Sequence, residues 1–343
     1  MDKKDQIILQ QLDVIRSMTE NNVRRMGSDF WGTPFQDVGK APAAPGKPAE
    51  PEKPVPPTAD AKPGDAAPEK AEELPPPEKI EDLLAELDTY IGLNVVKDEV
   101  HDLINMVQVY KLREQHDLPT TDMSLHMVFT GNPGTGKTTI ARILAKYLKA
   151  IGALRGGQLV EVTRADLVGR YVGHTAPLTN SVIQSALGGV LFIDEAYALY
   201  RGGEDSFGLE AIDTLVKGIE DHRDDLVVIL AGYTKEMQLF LSANSGLASR
   251  FPNQIEFPDY TGEELYKIML SIAKGKGYTL DEGCRLPLVT YFDRKQAEDA
   301  ATNGNGRMAR NTLEKAILNQ SKRLVADPDA SLELLLPGDF ELE

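Results

Sequence analysis

Apolar positions fall into distinct regimes along this chain. In residues 1–30, Ile8, Leu12 and Ile15 share one helical face with Ile7, Val14 and Met18 beside it, so the spacing predicts a short amphipathic helix that needs something to pack on. Residues 37–77 hold no aromatic side chain and hardly an aliphatic one. Order is predicted to resume at Ile80, with a helix, a short loop, and a long amphipathic helix carrying Val95, Val100, Leu103, Ile104, Val107, Tyr110 and Leu112. Five short runs of buried-strand character follow, at 125–129, 159–162, 190–193, 226–231 and 254–257. Between them the spacing turns helical, as in Ile140, Ile143, Leu144, Tyr147, Leu148 and Ile151, where Gly152 is a stop, and later in Leu209, Ile212, Val216 and Ile219. From Thr261 the pattern is helical only, over about 262–274, 281–296 and 307–325, opened by the capping box Thr261-Gly-Glu-Glu264. Strands alternating with helices, then helices alone, predict an α/β domain over 80–258 with a five-stranded parallel sheet flanked by helices, followed by a small all-helical lid domain over 259–343.

Composition separates the front of the chain from the rest. Of the 21 prolines, 12 fall in residues 37–77, among Ala, Glu and Lys. Such a segment buries too little surface to fold, so residues 31–79 are expected to be a disordered linker reaching on the order of 100 Å at ~3.1 Å per residue. The cluster Phe30-Trp31 with Phe35 sits at its start. One reading is a docking peptide, so that the N-terminal helix recruits a partner; the other is a helix folded back on the main domain. A formal net charge of −16 repels phosphate backbones, so no nucleic acid is expected as a partner. No run approaches 18 apolar residues, so no membrane span is expected. Cys284 is the one cysteine and can form no internal disulfide, which suits a cytoplasmic location. The five histidines show no metal-ligand spacing.

The chemistry concentrates where strands end. Gly131-Asn132-Pro133-Gly134-Thr135-Gly136-Lys137-Thr138 satisfies the P-loop pattern G-x-x-x-x-G-K-[ST], with a strand before it and a helix after it. Its glycines let backbone N–H groups turn inward around phosphates, and the helix beginning near Thr139 adds its positive end. Lys137 is expected to reach the β- and γ-phosphates of ATP, and the Thr138 hydroxyl to ligate Mg²⁺. The apolar run 190–193 ends in Asp194-Glu195, 57 residues beyond Lys137. At the carboxyl end of a buried parallel strand, Asp194 is expected to hold Mg²⁺ or its water, and Glu195 to deprotonate the attacking water. The next strand ends in Gly232-Tyr233-Thr234, where either Tyr233 or Thr234 fits a sensor of the γ-phosphate. The step Tyr90-Ile91-Gly92-Leu93 suits a flat apolar clamp on adenine, while its spacing alone reads as a loop with buried residues.

Taken together, the P-loop, the Asp-Glu-ended strand, the polar residue after the next strand, Ser249-Arg250 before the last strand and an Arg opening a late lid helix resemble the AAA+ ATPases. The wording of 165–175 (ADLVGRYVGHT), 188–197 (GGVLFIDEAY), 229–233 (ILAGY) and 257–260 (FPDY) is similar to the CbxX/CfqX family, which contains stage V sporulation protein K and the red-type rubisco activases. The resemblance covers roughly residues 80–325. It implies an ATP-hydrolysing motor that assembles into a ring, a hexamer, and remodels a protein partner. It makes Arg250 the arginine finger for the neighbouring subunit's site, and Arg307 the second sensor, with Arg310 one turn on as the rival. It makes Tyr171-Val172-Gly173 the pore loop whose aromatic grips polypeptide, with Gly169 and Gly173 leaving that loop free to move. Tyr233 departs from the family's usual Asn or Thr, and Ser245 from a common Pro. Two other readings compete: an ATP-gated assembly switch that makes no use of Tyr171, and a nucleic-acid motor, for which Arg170 and His174 supply too little positive charge.

Overall fold

The computed structural model describes residues 78–119, 124–299, 302–326 and 330–342. The helix expected within residues 1–30, the aromatic cluster and the linker as far as Pro77 lie outside them.

Five parallel strands form the sheet: β1 (Met127–Gly131), β2 (Leu159–Val162), β3 (Val190–Ile193), β4 (Val227–Gly232) and β5 (Asn253–Phe257), in the order β2-β3-β4-β1-β5. Every residue of β1, β3 and β4 is buried, as a parallel strand covered on both faces requires. Alternation along these strands divides the core in two. Met127 and Phe129 pack with Phe192, Ile229 and Phe257 beneath α1 (Ile80–Thr89), α2 (Asn94–Gln115) and α3 (Lys137–Ala150). Val128, Leu191, Ile193, Val228 and Leu230 face the other way, toward the helical segments α4 (Arg164–Leu167), α5 (Thr175–Ala186), α6 (Ser206–Asp221), α7 (Thr234–Ala243) and α8 (Ser245–Ala248). The register sets Thr130 opposite Gly232 and Gly131 opposite Phe257, so the carboxyl ends of β1, β4 and β5 lie level.

The lid consists of α9 (Gly262–Gly275), α10 (Arg285–Asp299) and α11 (Gly306–Ala326). The capping box forms as expected: Thr261 Oγ1 accepts from Glu264 N, and Glu264 accepts from Thr261 N at 2.8 Å. Lid residues Leu265, Met269, Leu288, Phe292 and Leu313 are continuous with the α1–α3 side of the core. A two-residue parallel pair, β6 (Thr279–Leu280) with β7 (Leu334–Leu335), is added to the helices. It is too short to carry a periodic signal.

One helical face differs from the expectation. Val95 is 60% exposed and Leu112 53%, whereas Val96 is fully buried. The inward stripe of α2 is Val96, Val100, Leu103, Ile104 and Val107, at i, i+4, i+7, i+8 and i+11, whereas Val95 and Leu112 stand five residues from Val100 and Val107 and so fall off that face.

His126, just before β1, is buried, and its Nδ1 accepts a hydrogen bond from Val228 N at 3.0 Å. Burial, with Arg250 adding, pushes its pKa down from 6.5 to about 4. The unfolded chain therefore binds a proton here that the native chain refuses. The native state is unpenalised above pH 6.5 and loses stability as pH falls toward 4. Between pH 7 and 4.5 this one group is expected to remove about 2 kcal/mol of unfolding free energy. Urea titrations at the two pH values should show His126→Asn losing about that much less than the native chain; an equal loss in both would contradict it.

Candidate functional site

At the carboxyl ends of β1, β3 and β4, under the lid, lies a cleft of about 620 Å³. Its floor is the phosphate loop. Gly131, Gly134 and Gly136 all take positive φ there. Gly131 and Gly134 admit no other residue, since a Cβ would lie 2.4 Å from the carbonyl oxygen of Phe257 at the first and 2.1 Å from that of Gly304 in the lid at the second. The loop's own groups hold its lysine: Lys137 Nζ donates to the carbonyls of Gly131 and Asn132, both at 2.8 Å. Burial pushes the Lys137 pKa down to about 8; Asp194 and Asp259 pull it back up, and Arg307 adds to the depression.

Pro133, Gly134, Gly136, Lys137, Thr138 and Thr139 line the cleft with Asp194 and Glu195. Thr135 is instead buried beneath the loop, its hydroxyl donating to Asn132 O at 2.8 Å. Asn132 turns outward and donates to both carboxylate oxygens of Asp259, at 3.0 and 2.9 Å. Asp194 Oδ1 accepts from Glu195 N at 3.0 Å, and Glu195 has φ +48, a left-handed backbone that a non-glycine residue adopts only under strain. That conformation turns the chain sharply at the end of β3 and leaves the Glu195 side chain exposed.

Tyr90, Ile91, Leu93, Ile268 and Ile272 form an apolar end. Gly92, expected beside Ile91 as part of a clamp, does not line the cleft; it packs under α9, where a Cβ would lie 2.5 Å from Glu264 Oε1. Of the two residues open for the first sensor, Tyr233 lines the cleft and Thr234 begins α7 outside it. Tyr233 lies 5.8 Å from the ring of Tyr197, whose hydroxyl is pushed up to about 12 by burial, with Glu195 adding. Arg307 and Arg310 both line the cleft.

Two expected elements lie away from the cleft. Arg250 precedes β5, so it sits at the sheet's amino end, roughly 16 Å from the cleft at ~3.3 Å per strand residue. Its guanidinium meets Glu220 at 3.3 Å and donates to Gly246 O at 2.9 Å. The loop between α4 and α5 presents Tyr171 and Val172, 68% and 88% exposed. Gly173, with φ +81, has open space around it, but Gly169 does not. A Cβ at Gly169 would lie 2.7 Å from His174, and its N–H donates to Thr175 Oγ1 at 3.2 Å. Gly169 is thus an anchor, contrary to the expectation of a hinge at both glycines. The freedom of the loop belongs to the Gly173 side.

Sequence reasoning assigned no role to Asp259, Tyr260 or Asn305. Tyr260 lines the cleft and its hydroxyl donates to Thr135 O at 3.1 Å, burial raising its pKa. The signal was present in the run 257–260 and in Gly304-Asn305-Gly306, which reads on its own as a helix opening.

A phosphate loop at the centre of a parallel sheet, an acidic pair on the next strand but one, and a helical lid bearing two arginines over the same cleft define a P-loop nucleotide-binding protein. The chain matches the ATPase family associated with various cellular activities (AAA) over residues 127–259 and the AAA lid domain over 261–343. It is 46% identical over 250 residues to the plasmid protein CbxX of Cupriavidus necator, covering 72% of this chain and 78% of that one. It is 43% identical over 247 residues to stage V sporulation protein K of Bacillus subtilis (72% and 77% covered). It is 43% identical over 256 residues to the chloroplastic ribulose bisphosphate carboxylase/oxygenase activase of Cyanidioschyzon merolae (74% and 87%). Among solved structures, the FIGL-1 AAA domain in complex with ADP has the same fold, with TM-score 0.52 at 18% identity, covering 76% of this chain and 88% of that one. A RuvB mutant of Thermotoga maritima does too, with TM-score 0.51 at 20% identity over 74% and 69%. The chain belongs to the AAA ATPases, in the CbxX/CfqX family.

Proposed function

We propose that this chain hydrolyses ATP with Mg²⁺, assembles with copies of itself into a hexameric ring, and uses turnover to remodel a protein partner by drawing polypeptide past Tyr171. The observation that carries the reading is a division of labour. Lys137, Thr138, Asp194, Glu195, Tyr233, Arg307 and Arg310 converge on one cleft, while the loop presenting exposed Tyr171 follows the edge strand β2 and shares no residue with it. Thr138 and Asp194 line the cleft beside Lys137, and their oxygens suit a hard cation. Bound there with ATP, Mg²⁺ would neutralise charge on the phosphates. Lys137 binds the terminal phosphates, Glu195 takes the proton of the attacking water, and Tyr233 with Arg307 or Arg310 senses the γ-phosphate.

Arg250 serves the neighbouring copy's cleft, since it does not line its own. The relatives named activase and sporulation protein support a protein as the object of the work, and both substrate classes fit this chain. Cytoplasmic action is supported by the single cysteine, Cys284, which is free and buried with its thiol pushed up to about 11 by desolvation. Among the described residues, no helix is long and apolar enough to cross a membrane. The recruiting role expected of residues 1–30 concerns a segment outside the described residues and rests on its sequence pattern alone.

Tyr171→Ala is the discriminating variant. A large flat side chain grips varied polypeptide by non-directional apolar contact. Removing it is expected to preserve basal ATP turnover within about twofold, because the ring is mostly exposed and meets His174 edge-on at 5.5 Å, away from the cleft. Remodelling of a partner captured on a slow-hydrolysing variant should fall at least tenfold. If both activities match the native chain, threading is wrong and an ATP-gated assembly switch takes its place.

A further inference from the structure

Asn305 ties together three segments that meet at the phosphate loop. It is fully buried, with φ +45, at the entrance to α11. Its amide is used to capacity. Oδ1 accepts from Tyr260 N at 3.0 Å and from Gln296 Nε2 at 2.7 Å. Nδ2 donates to Asp259 Oδ1 at 2.8 Å and to Pro133 O at 3.3 Å. An amide alone, with two acceptor and two donor positions, meets this arrangement. A carboxylate would set acceptor against acceptor at both Asp259 and Pro133.

The network continues into the nucleotide cleft. Asp259 also accepts both hydrogen bonds from Asn132, whose carbonyl holds Lys137 Nζ. Alongside, Gly306 N donates to Gly134 O at 3.1 Å, and Gly304 O occupies the space that a Cβ on Gly134 would take. The lid therefore contacts the phosphate loop through side chain and backbone together, on the same helix that carries Arg307 and Arg310.

We propose that Asn305 and Asp259 are positioning residues forming a latch, through which seating of the lid sets the shape of the phosphate loop and unseating releases the nucleotide. The proposal rests on the reading that this loop binds ATP. Loop and lid move as one unit while the latch holds, so the lid's displacement reaches Lys137 through Asp259 and Asn132 without a contact to the nucleotide itself.

Dissociation of a fluorescent ATP analogue from the full chain tests it. Asn305→Asp is expected to speed dissociation at least tenfold, and Asp259→Asn severalfold. Gln296→Ala, a change on α10 outside the cleft, should speed dissociation about threefold and keeps the test alive if Asn305→Asp does not fold. Native dissociation rates in Asn305→Asp or in Gln296→Ala overturn the latch. Failure of the unaltered chain to bind the analogue overturns the nucleotide reading instead.

Discussion

Replacing Glu195 by glutamine is expected to leave ATP binding at native strength and to slow hydrolysis by about 10²–10⁴-fold, the range that removal of a general base commands. The two side chains are nearly the same size, and Glu195 is exposed at the mouth of the cleft, so no packing changes. The left-handed turn that carries it is held by backbone and by Asp194 Oδ1 accepting from its N–H, neither of which the substitution touches. Lys137, Thr138 and the backbone cradle stay intact. The measurement pairs equilibrium binding of ATP with a phosphate-release assay on the same sample. Native turnover in Glu195→Gln would remove this residue from the role of base, whatever its binding.

Arg250→Ala is expected to lower turnover by about 10³–10⁵-fold, the magnitude for loss of an arginine finger. Its ion pair with Glu220 is part-exposed and adds little to stability, and a thermal melt of the variant separates a catalytic loss from a structural one. The distinctive expectation concerns mixtures. Arg250→Ala chains have an intact base, and Glu195→Gln chains an intact finger. In the proposed ring, mixed assemblies would contain interfaces that join the two, so activity should return on mixing two inactive preparations. Turnover by the native chain that stays independent of concentration down to demonstrable monomers would exclude a finger supplied in trans.

What the sequence disclosed and what it withheld divide along contact distance. The phosphate loop is a contiguous run whose backbone demands are met by its own glycines, and the apolar strand ending in Asp194-Glu195 is legible because burial on both faces removes any need for polar alternation. All five strands lie within two residues of where apolar runs suggested. The inward face of α2 was misread at both ends, since Val95 and Leu112 are apolar but stand five residues from Val100 and Val107, off the stripe that 3.6-residue spacing sets. Gly169 looked like a hinge because a glycine is read by its freedom, and here its missing side chain is filled by His174 instead. Asn305 was unreadable for a deeper reason. It meets Pro133 across 172 residues and Asp259 across 46, and no local pattern encodes a saturated amide.

The order of strands has a consequence for how unevenly the molecule resists opening. β1 is hydrogen-bonded on both sides, to β4 and β5, and is buried throughout. The phosphate loop is thus suspended from the part of the sheet that comes apart only with the whole. β2 is bonded on one side only, to β3, with three of its four residues partly or wholly exposed. Just beyond it comes the segment bearing Tyr171. An edge strand of this kind can detach and return at a small fraction of the global unfolding free energy. If the proposed threading is right, the outer rim could yield under mechanical load many times over while the centre proposed to hold the phosphates keeps its shape, as in a tool whose working tip is compliant and whose handle is not.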